Sequence, residues 1–555
     1  MAAPAVALLL CCLVLPALAD TLRVARDGQW TRIQEAINAA RPGDTVEVAH
    51  GRYAETVTIA KSDLTLRAAP GDLPLIDGAG EREYGIHVPR DVAVEGLRIE
   101  GFEVARQTRK GIFIESRASR GIGISGNVVH HMREKGIDVC GAEHLIEGNV
   151  IYMIGNDQEA MGIRLEQTRD CVARDNDAFL CKKTAIRDQT GAGNLIESNL
   201  MHMCWCGLDF NASSGARALN NCIYCNLTGF NPKHLKGNVG WNLFRHNSLY
   251  GNRGENVCIA VNRADWLPDT GPDLDWLDIQ NNILGPCGYT HLWNRPQIVG
   301  ENVVVDNNVY CGEPGWPPHF YQTEWHRSKR PGLTSLARMQ AETGFGTSGR
   351  IADSPFLDPE HGDLDYADDS PLASLGADLG DPRGRQLGAR GVRRPVTRFV
   401  RVAMNAVAAS VNEGLMHYTT DGRYYTEWHS GTGTEDQWIT YELTDRRPFT
   451  HLILVPVGHK VEFNIRRYEF LVSEDGHRFE MLFRGENNDS GSTFIYELDE
   501  PVAPRFLKLR MLEKFPDDGL DWTPANLQLD ELMAGFFEPS LDAVPRLGRP
   551  NTSSR

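Results

Sequence analysis

Five charged residues recur at one position of a repeating run: Asp138, Arg164, Arg187, Asp209 and Lys236. Their runs are Gly136–Cys140, Gly162–Glu166, Ala185–Gln189, Gly207–Asn211 and His234–Asn238. Gly111–Glu115 comes before them with Phe113 at that position, and Cys258–Asn262 follows with Ala260. The first six runs start 25, 26, 23, 22 and 27 residues apart. A near-constant period with one short strand per repeat marks a solenoid. Strands of a solenoid stack in register, so the third position of each run becomes a straight external ladder. Arg164 and Arg187 are adjacent like charges, unfavourable unless something anionic sits between or above them. Arg presents a planar fork suited to a carboxylate or sulfate. The same residues also make sense as a solvated salt-bridge ladder, which contributes little energy.

Two reactions fit the ladder. In an elimination on an acidic glycan, Arg164 and Arg187 (or calcium held among Asp138, Glu166 and Asp209) neutralise a uronate carboxylate, and the family resemblance given below implies Lys236 as the base that takes the C5 proton. Asp209 beside Lys236 favours the charged amine, which opposes that role. In an inverting hydrolysis, two carboxyls stand roughly 6.5–9.5 Å apart. Asp138 and Asp209 are about 14 Å apart at strand spacing, whereas Asp138 and Glu166 are roughly 8 Å apart. Asn211, His234, Asn262 and Arg263 flank the ladder as substrate contacts. A third class is a non-catalytic glycan-binding scaffold. Asp188 falls at an inward position and reads as a buried, hydrogen-bonded residue. Turn histidines His130, His131 and His246 read as structural.

Strand alternation turns Ile112, Ile114, Ile137, Val139, Ile163, Leu165, Leu208 and Phe210 inward as core. Asparagines at a fixed bend, Asn127, Asn149, Asn199 and Asn247, suit left-handed turns and coil-to-coil stacking of side-chain amides. Ahead of the coils, Trp30, Ile33, Ala36, Ile37 and Ala40 have helical spacing and Pro42-Gly43-Asp44 ends the helix, giving a cap for the open solenoid end. Leu333–Thr343 predicts a second short helix. From about Thr397 to Phe537, alternating strands such as Trp438–Leu443, Thr450–Val455, Tyr468–Ser473 and Arg505–Arg510 predict an antiparallel sandwich.

The chain of 555 residues is too long for one ordinary core. We divide it into a signal peptide (1–19), a β-helix domain (20–384), a linker (385–396), a sandwich (397–538) and a disordered tail (539–555). The apolar run Val6–Leu15 followed by Ala17-Leu18-Ala19 has the pattern of a cleaved export signal. This predicts a secreted or periplasmic protein with no membrane span. A net charge of −17 argues against nucleic acid as partner, while leaving room for a locally basic groove. Beyond the signal, ten cysteines lie between Cys140 and Cys311. The pairs Cys204/Cys206 and Cys222/Cys225 approach a zinc spacing, but one coil of separation fits stacked buried thiols or disulfides between coils.

The repeats, together with the opening Trp30–Val46 and the stretch Gly51-Arg52-Tyr53-Ala54-Glu55, resemble the right-handed parallel β-helix superfamily of polysaccharide lyases and glycoside hydrolases. That resemblance spans about 360 residues and implies an all-β fold, a parallel β-helix followed by a jelly-roll-like sandwich, acting on a polysaccharide. Superfamily lyases use Lys or Arg as base, and the stretch from Lys236 to Asn247 is similar to the corresponding strand. Their second basic residue, one coil later, is replaced here by Ala260 and Asn262. The C-terminal residues Thr420-Asp421-Gly422, Thr426-Glu427-Trp428, Gln437-Trp438-Ile439, Ser473-Glu474-Asp475-Gly476 and Leu529-Asp530-Glu531 resemble the discoidin, or coagulation factor 5/8 type C, family. This implies a sugar-binding module with a structural calcium near Asp421, Thr426 and Glu531.

Overall fold

The computed structural model describes residues 19–155, 159–235, 237–259, 274–293, 299–312, 320–322, 335–359, 362–392, 398–422, 426–431, 436–455, 465–487, 494–514 and 527–538. The signal, the tail, Lys236, Ala260, Asn262 and Arg263 lie outside these residues.

Three parallel sheets wind together into a β-helix. The first and second sheets have twelve strands each and the third has eleven. One coil runs from the third sheet (Lys135–Ala142) through the first (Leu145–Glu147) and second (Val150–Ile154) and back to the third (Met161–Arg169). Inward side chains from all three sheets form one continuous apolar core from Val24 to Met339. Glycine opens most third-sheet runs because the backbone there meets its neighbours: a Cβ on Gly136 would stand 2.5 Å from Ile151 Cγ2 and 2.7 Å from the Gly162 carbonyl oxygen.

The first corner, between the first and second sheets, is closed by asparagines. Asn127, Asn149, Asn176, Asn199, Asn221, Asn247, Asn282 and Asn308 stack, each Nδ2 donating to the next Oδ1 at 2.9–3.1 Å. The same Oδ1 accepts the preceding asparagine's backbone N–H, as in Asn149 N to Asn176 Oδ1 at 3.0 Å. All eight are buried, so every corner amide finds its partner without water.

The N-terminal end is capped by helix Ile33–Ala39. Glu55 accepts from the backbone N–H groups of Ile33 (2.9 Å) and Gln34 (3.1 Å), filling the orphan donors of the first turn. Lys61 Nζ donates to the carbonyls of Ile37, Asn38 and Ala40, where a cation also complements the helix dipole. At the other end, helix Leu336–Thr343 buries Met339 against the core. Residues 385–392, expected as linker, instead lie along the coils. Gly388 N donates to Asn281 O, Ala389 N to Ser248 Oγ, and Arg390 N to Asn220 Oδ1. His246 is buried and contacts Gln386 O at 2.7 Å and Asp381 Oδ2 at 2.8 Å, a structural role. All ten cysteines from Cys140 to Cys311 are buried free thiols; no described pair is a disulfide.

The C-terminal part is an antiparallel sandwich. One sheet orders Met404–Ala409, Gln437–Leu443, Phe506–Lys514, Ile465–Ser473 and Glu480–Glu486; the other orders Arg398–Arg401, Glu531–Glu538, Phe449–Val455 and Phe494–Val502. It docks on the second sheet of the β-helix. There Val128, Val150, Tyr152, Phe179 and Leu180 pack with Phe399, Ile495 and Phe537.

Asn176→Ala removes the acceptor of Asn149 N and Nδ2 and the donor to Ile146 O. Each buried group left unpaired costs about 1–3 kcal/mol. The variant should lose about 3–5 kcal/mol in urea unfolding followed by circular dichroism. A loss under about 1 kcal/mol would show that the ladder is incidental.

Candidate functional site

The outward ladder of the third sheet exists as expected through Asp209. Register pairs Phe113 with Asp138, Asp138 with Arg164, Arg164 with Arg187 and Arg187 with Asp209. The next rung is Asn231, because strand Cys206–Asn211 pairs with Thr228–Lys233. The sixth run therefore starts at Gly229 rather than His234. Pro232 lies inside this strand, and a proline argues against a central strand on sequence grounds, which is why the run was misplaced. His234 sits in the turn after the strand, at φ 54°. The following strand is Glu255–Cys258, pairing Phe230 with Val257, so the rung expected at Ala260 is also shifted.

A second in-register column, buried throughout and missed in the sequence, begins each strand: Lys110, Lys135, Met161, Thr184, Cys206 and Thr228. These residues immediately precede the recurrent Gly or Ala, so their periodicity was available, but the template had been started one residue late. A third column holds Glu166, Gln189, Asn211 and Lys233.

Ion pairs join the columns. Arg164 grips Asp138 with two bonds, Nε to Oδ1 at 2.8 Å and Nη2 to Oδ2 at 2.9 Å. Lys110 Nζ reaches the same carboxylate at 2.8 Å and lies 3.4 Å above the Phe113 ring. Arg187 Nε lies 2.7 Å from Asp209, and Lys233 Nζ 3.2 Å from it. The two arginines thus turn apart, one toward Asp138 and one toward Asp209, and the like-charge contact is relieved without a ligand. Lys110, Lys135, Arg164, Arg187 and Lys233 outnumber Asp138, Glu166, Asp209 and Glu159, which lies 3.9 Å from Arg187, by one, so these residues carry a small excess of positive charge in an acidic protein.

Burial would raise Asp138, but the Arg164 fork and Lys110 outweigh it and hold this carboxyl below the usual carboxylate range. Glu166 contacts the same guanidinium, 2.9 Å from Nη1. Arg164 therefore fills the space between the two carboxyls, where a hydrolase would need water and the glycosidic oxygen. Lys135 is the opposite case. Burial first, then Arg164 and Lys110, push its amine below the ordinary lysine value against the pull of Asp138. Among the described residues Lys135 Nζ makes no hydrogen bond or ion pair. Further along the column, burial raises Glu255 to about 7, opposed by the Thr228 hydroxyl bond.

The residues expected to neighbour a calcium, Asp421, Thr426 and Glu531, also converge. Thr426 Oγ1 donates to Asp421 at 2.9 and 3.0 Å. Glu531 is buried and accepts from Gly422 N at 3.3 Å and Arg401 Nη1 at 2.9 Å. Burial raises Glu531 to about 8; Arg401 opposes this and the Asp421 charge adds to it. A hard cation suits such oxygens.

The family model described as F5/8 type C domain matches residues 404–524. The C-terminal sandwich is an F5/8 type C domain. A second model, described as periplasmic copper-binding protein (NosD), matches residues 69–271, within the β-helix. Among the described residues no group of three or more His, Cys, Asp or Glu is placed to hold a metal ion, so a copper site is not found in them. No curated protein matches the chain. Among solved structures, pectate lyase Pel9A is 15% identical, covering 68% of this chain and 97% of its own, with TM-score 0.43. A Clostridium perfringens module, CpGH89CBM32-5, solved with GalNAc-β-1,3-galactose, is 26% identical over 25% of this chain and 95% of its own, with TM-score 0.20. The family 32 module of C. perfringens NanJ, solved with galactose, is 18% identical over 25% and 98%, with TM-score 0.21. No described helix is long and apolar enough to cross a membrane.

Behind the strip, Asp188 is inward and fully buried, as expected. Its Oδ1 accepts from Asn194 Nδ2 at 3.0 Å. Burial raises its carboxyl to about 7; Asn194 and Ser213 oppose this, and the Asp209 charge adds to it. A raised folded value means that the stability contributed by protonated Asp188 is full below its ordinary value and is lost as pH rises through about 7. Asp188→Asn should therefore flatten the pH dependence, gaining on the parent by up to ~4 kcal/mol above neutrality. Urea midpoints at about pH 5 and about pH 8 check this, and equal pH dependence in both proteins would refute it.

Proposed function

We propose that the chain is a carbohydrate-active protein that binds an acidic polysaccharide along the third sheet and cleaves it by β-elimination. One observation carries the reading: a buried lysine, Lys135, lacks any described partner and is driven toward its neutral form beside a cation-rich strip. Burial and neighbouring cations ease loss of the ammonium proton, which is the direction a general base needs. Lys135 takes the role assigned from sequence to Lys236. Lys233 is less suited, because its amine is already engaged by Asp209 at 3.2 Å.

In the reaction, the Lys135 amine removes the proton on the carbon next to the uronate carboxylate. The C–O bond at the adjacent carbon breaks, its electron pair stays on the departing oxygen, and water protonates that oxygen. The new double bond is conjugated with the carboxylate. Arg164, Lys110, Arg187 and Lys233 supply the field that stabilises charge building on the carboxylate. Asp138 and Asp209 fix where those cations point. Asn211, at the end of its strand between Gln189 and Lys233, is a substrate contact. An acid-catalysed hydrolysis is less favoured, since Asp138 is held ionised and Arg164 occupies the gap.

The sandwich, in this reading, is a glycan-binding module stabilised by calcium at Asp421, Thr426 and Glu531. The protein acts outside the cytoplasm; the Met1–Ala19 pattern and the periplasmic description of the NosD model support this.

Lys135→Met should lower turnover by ~100-fold or more on an acidic glycan whose cleavage gives an ultraviolet-absorbing unsaturated uronate. Full activity in this variant would exclude Lys135 as base, and new reducing ends without that absorbance would replace elimination with hydrolysis. Calcium should raise the melting temperature of the parent but not of Glu531→Gln. An equal response of the two, or none in the parent, would remove calcium from the sandwich.

A further inference from the structure

A cleft of about 810 Å3 opens where the F5/8 type C domain meets the β-helix. This is the size of a small-ligand site, and it does not lie on the charged strip. Arg52, Arg106, Arg133 and Lys182 line it from the β-helix, and Phe494 and Tyr496 from the sandwich.

The charge of this wall is not cancelled. Arg52 and Arg106 share one buried carboxylate, Asp77, with Arg106 bonding it through Nε at 3.0 Å and also through Nη2. Two guanidiniums on one carboxylate leave a positive charge over. Arg133 is exposed and makes no hydrogen bond or ion pair among the described residues. The carboxylates on the cleft are already engaged: Glu497 lies 3.3 Å from His131, and Glu486 3.0 Å from Arg466. The facing aromatic wall is fixed, because Tyr496 donates to Asn487 Oδ1 at 2.7 Å and its ring packs on Phe483, centroids 5.1 Å apart.

Cations opposite a rigid aromatic face match one ligand class. Carboxylates of an acidic sugar meet the guanidiniums, and the apolar face of its ring lies on the aromatic side chains. The position supports the same class. Arg133 precedes Lys135, and Lys182 precedes Thr184, by two residues, at the corner where the chain passes from the second sheet to the third. A glycan on the strip has only this corner to turn to enter the cleft. We propose that the interdomain cleft is a second binding site for acidic oligosaccharide, built jointly by both domains, that holds a polymer whose other part lies on the third sheet. The choice of acidic sugar rests on the reading of the strip given above; the cleft itself does not.

The test uses full-length protein and calorimetric titration with hexamers of galacturonate, of mannuronate and of chondroitin sulfate, and with maltohexaose as the neutral control. At least one acidic hexamer should bind, and Arg133→Glu and Tyr496→Ala should each weaken it about tenfold or more. Arg133→Glu should keep the parent's melting temperature, Tyr496→Ala should lower it through the lost packing on Phe483 and is titrated well below its own transition, and maltohexaose should not compete. Unchanged affinity in both variants, or no binding of any acidic hexamer to the parent, overturns the cleft. Intact cleft binding in Lys135→Met with no unsaturated product from any protein overturns only the elimination reading.

Discussion

A polypeptide that coils on itself must satisfy its backbone at every corner, in every coil, without water. Here the Asn127-to-Asn308 ladder meets that constraint along the first corner. Each side chain accepts two N–H groups from the coil before it and donates to the coil after it. The amide is both donor and acceptor, so the pattern propagates without a charged group or a terminus. A ladder of this kind ties coil rise to the side-chain amide length and leaves no freedom for register to drift. A slip of one residue would turn the apolar rows outward and strand buried amides together, so two separate costs protect the same register.

The chemistry on the third sheet follows from that register. With rungs about one strand spacing apart, a side chain reaches only its own coil and the next. Asp138 can therefore be gripped by Arg164 on one side and Lys110 on the other, and Asp209 by Arg187 and Lys233. The strip resolves into two clusters, each an acid between two cations, with the arginines at their shared boundary facing away from each other. Lys135 starts the strand that carries Asp138, but Asp138 is already saturated by better-placed partners. Its amine is left beside Arg164 and Lys110, largely out of water, with Asp138 and Glu134 acting on it only at longer range and no ion pair among the described residues. That is a consequence of competition for one carboxylate and not of burial alone.

The fold was legible because its determinants are periodic. The asparagine bends, inward aliphatic rows and charged ladder through Asp209 each repeat, and each repeat corroborates the others. The N-terminal cap was legible too, although the reason for Glu55 appears only when it is seen to fill the N–H groups of Ile33 and Gln34. What sequence obscured was local. Pro232 disguised a strand and displaced the expected base to Lys236. The recurrent glycine looked like the start of the template, so Lys110 and Lys135 just before it were passed over. Residues 385–392 looked like a linker because they are basic and turn-rich, yet their polar backbone is satisfied by Asn220, Ser248 and Asn281, contacts of long sequence separation that no local pattern encodes. The pairing of Arg164 with both Asp138 and Glu166, which fills the gap between the two carboxyls, likewise depends on which rotamer wins among crowded partners.

The faces of the β-helix divide their labour by what stacks on them. On the second sheet, His130, Tyr152, Phe179, His202 and Tyr224 form a column of nearly coplanar rings 4.5–5.4 Å apart. Rings stacked at strand spacing present a broad apolar surface, and such a surface on a monomer marks an interface. The sandwich covers part of it with Phe399, Ile495 and Phe537, Phe537 lying 6.2 Å from Phe179. The first sheet instead carries half-buried pairs such as Glu47 with Arg67 and Glu147 with Arg174, which contribute little where solvent screens them. The third sheet carries buried ion pairs with a small surplus of cations, as Arg52 and Arg106 do around Asp77 on the second. Desolvating that surplus without a ligand is unfavourable, and in a protein of net charge −17 the long-range field draws no anion toward it. On the proposed reading, capture of an acidic polymer would come from short-range contact along several coils at once, which favours an extended ligand over a small anion and suits a rigid, register-locked solenoid as its template.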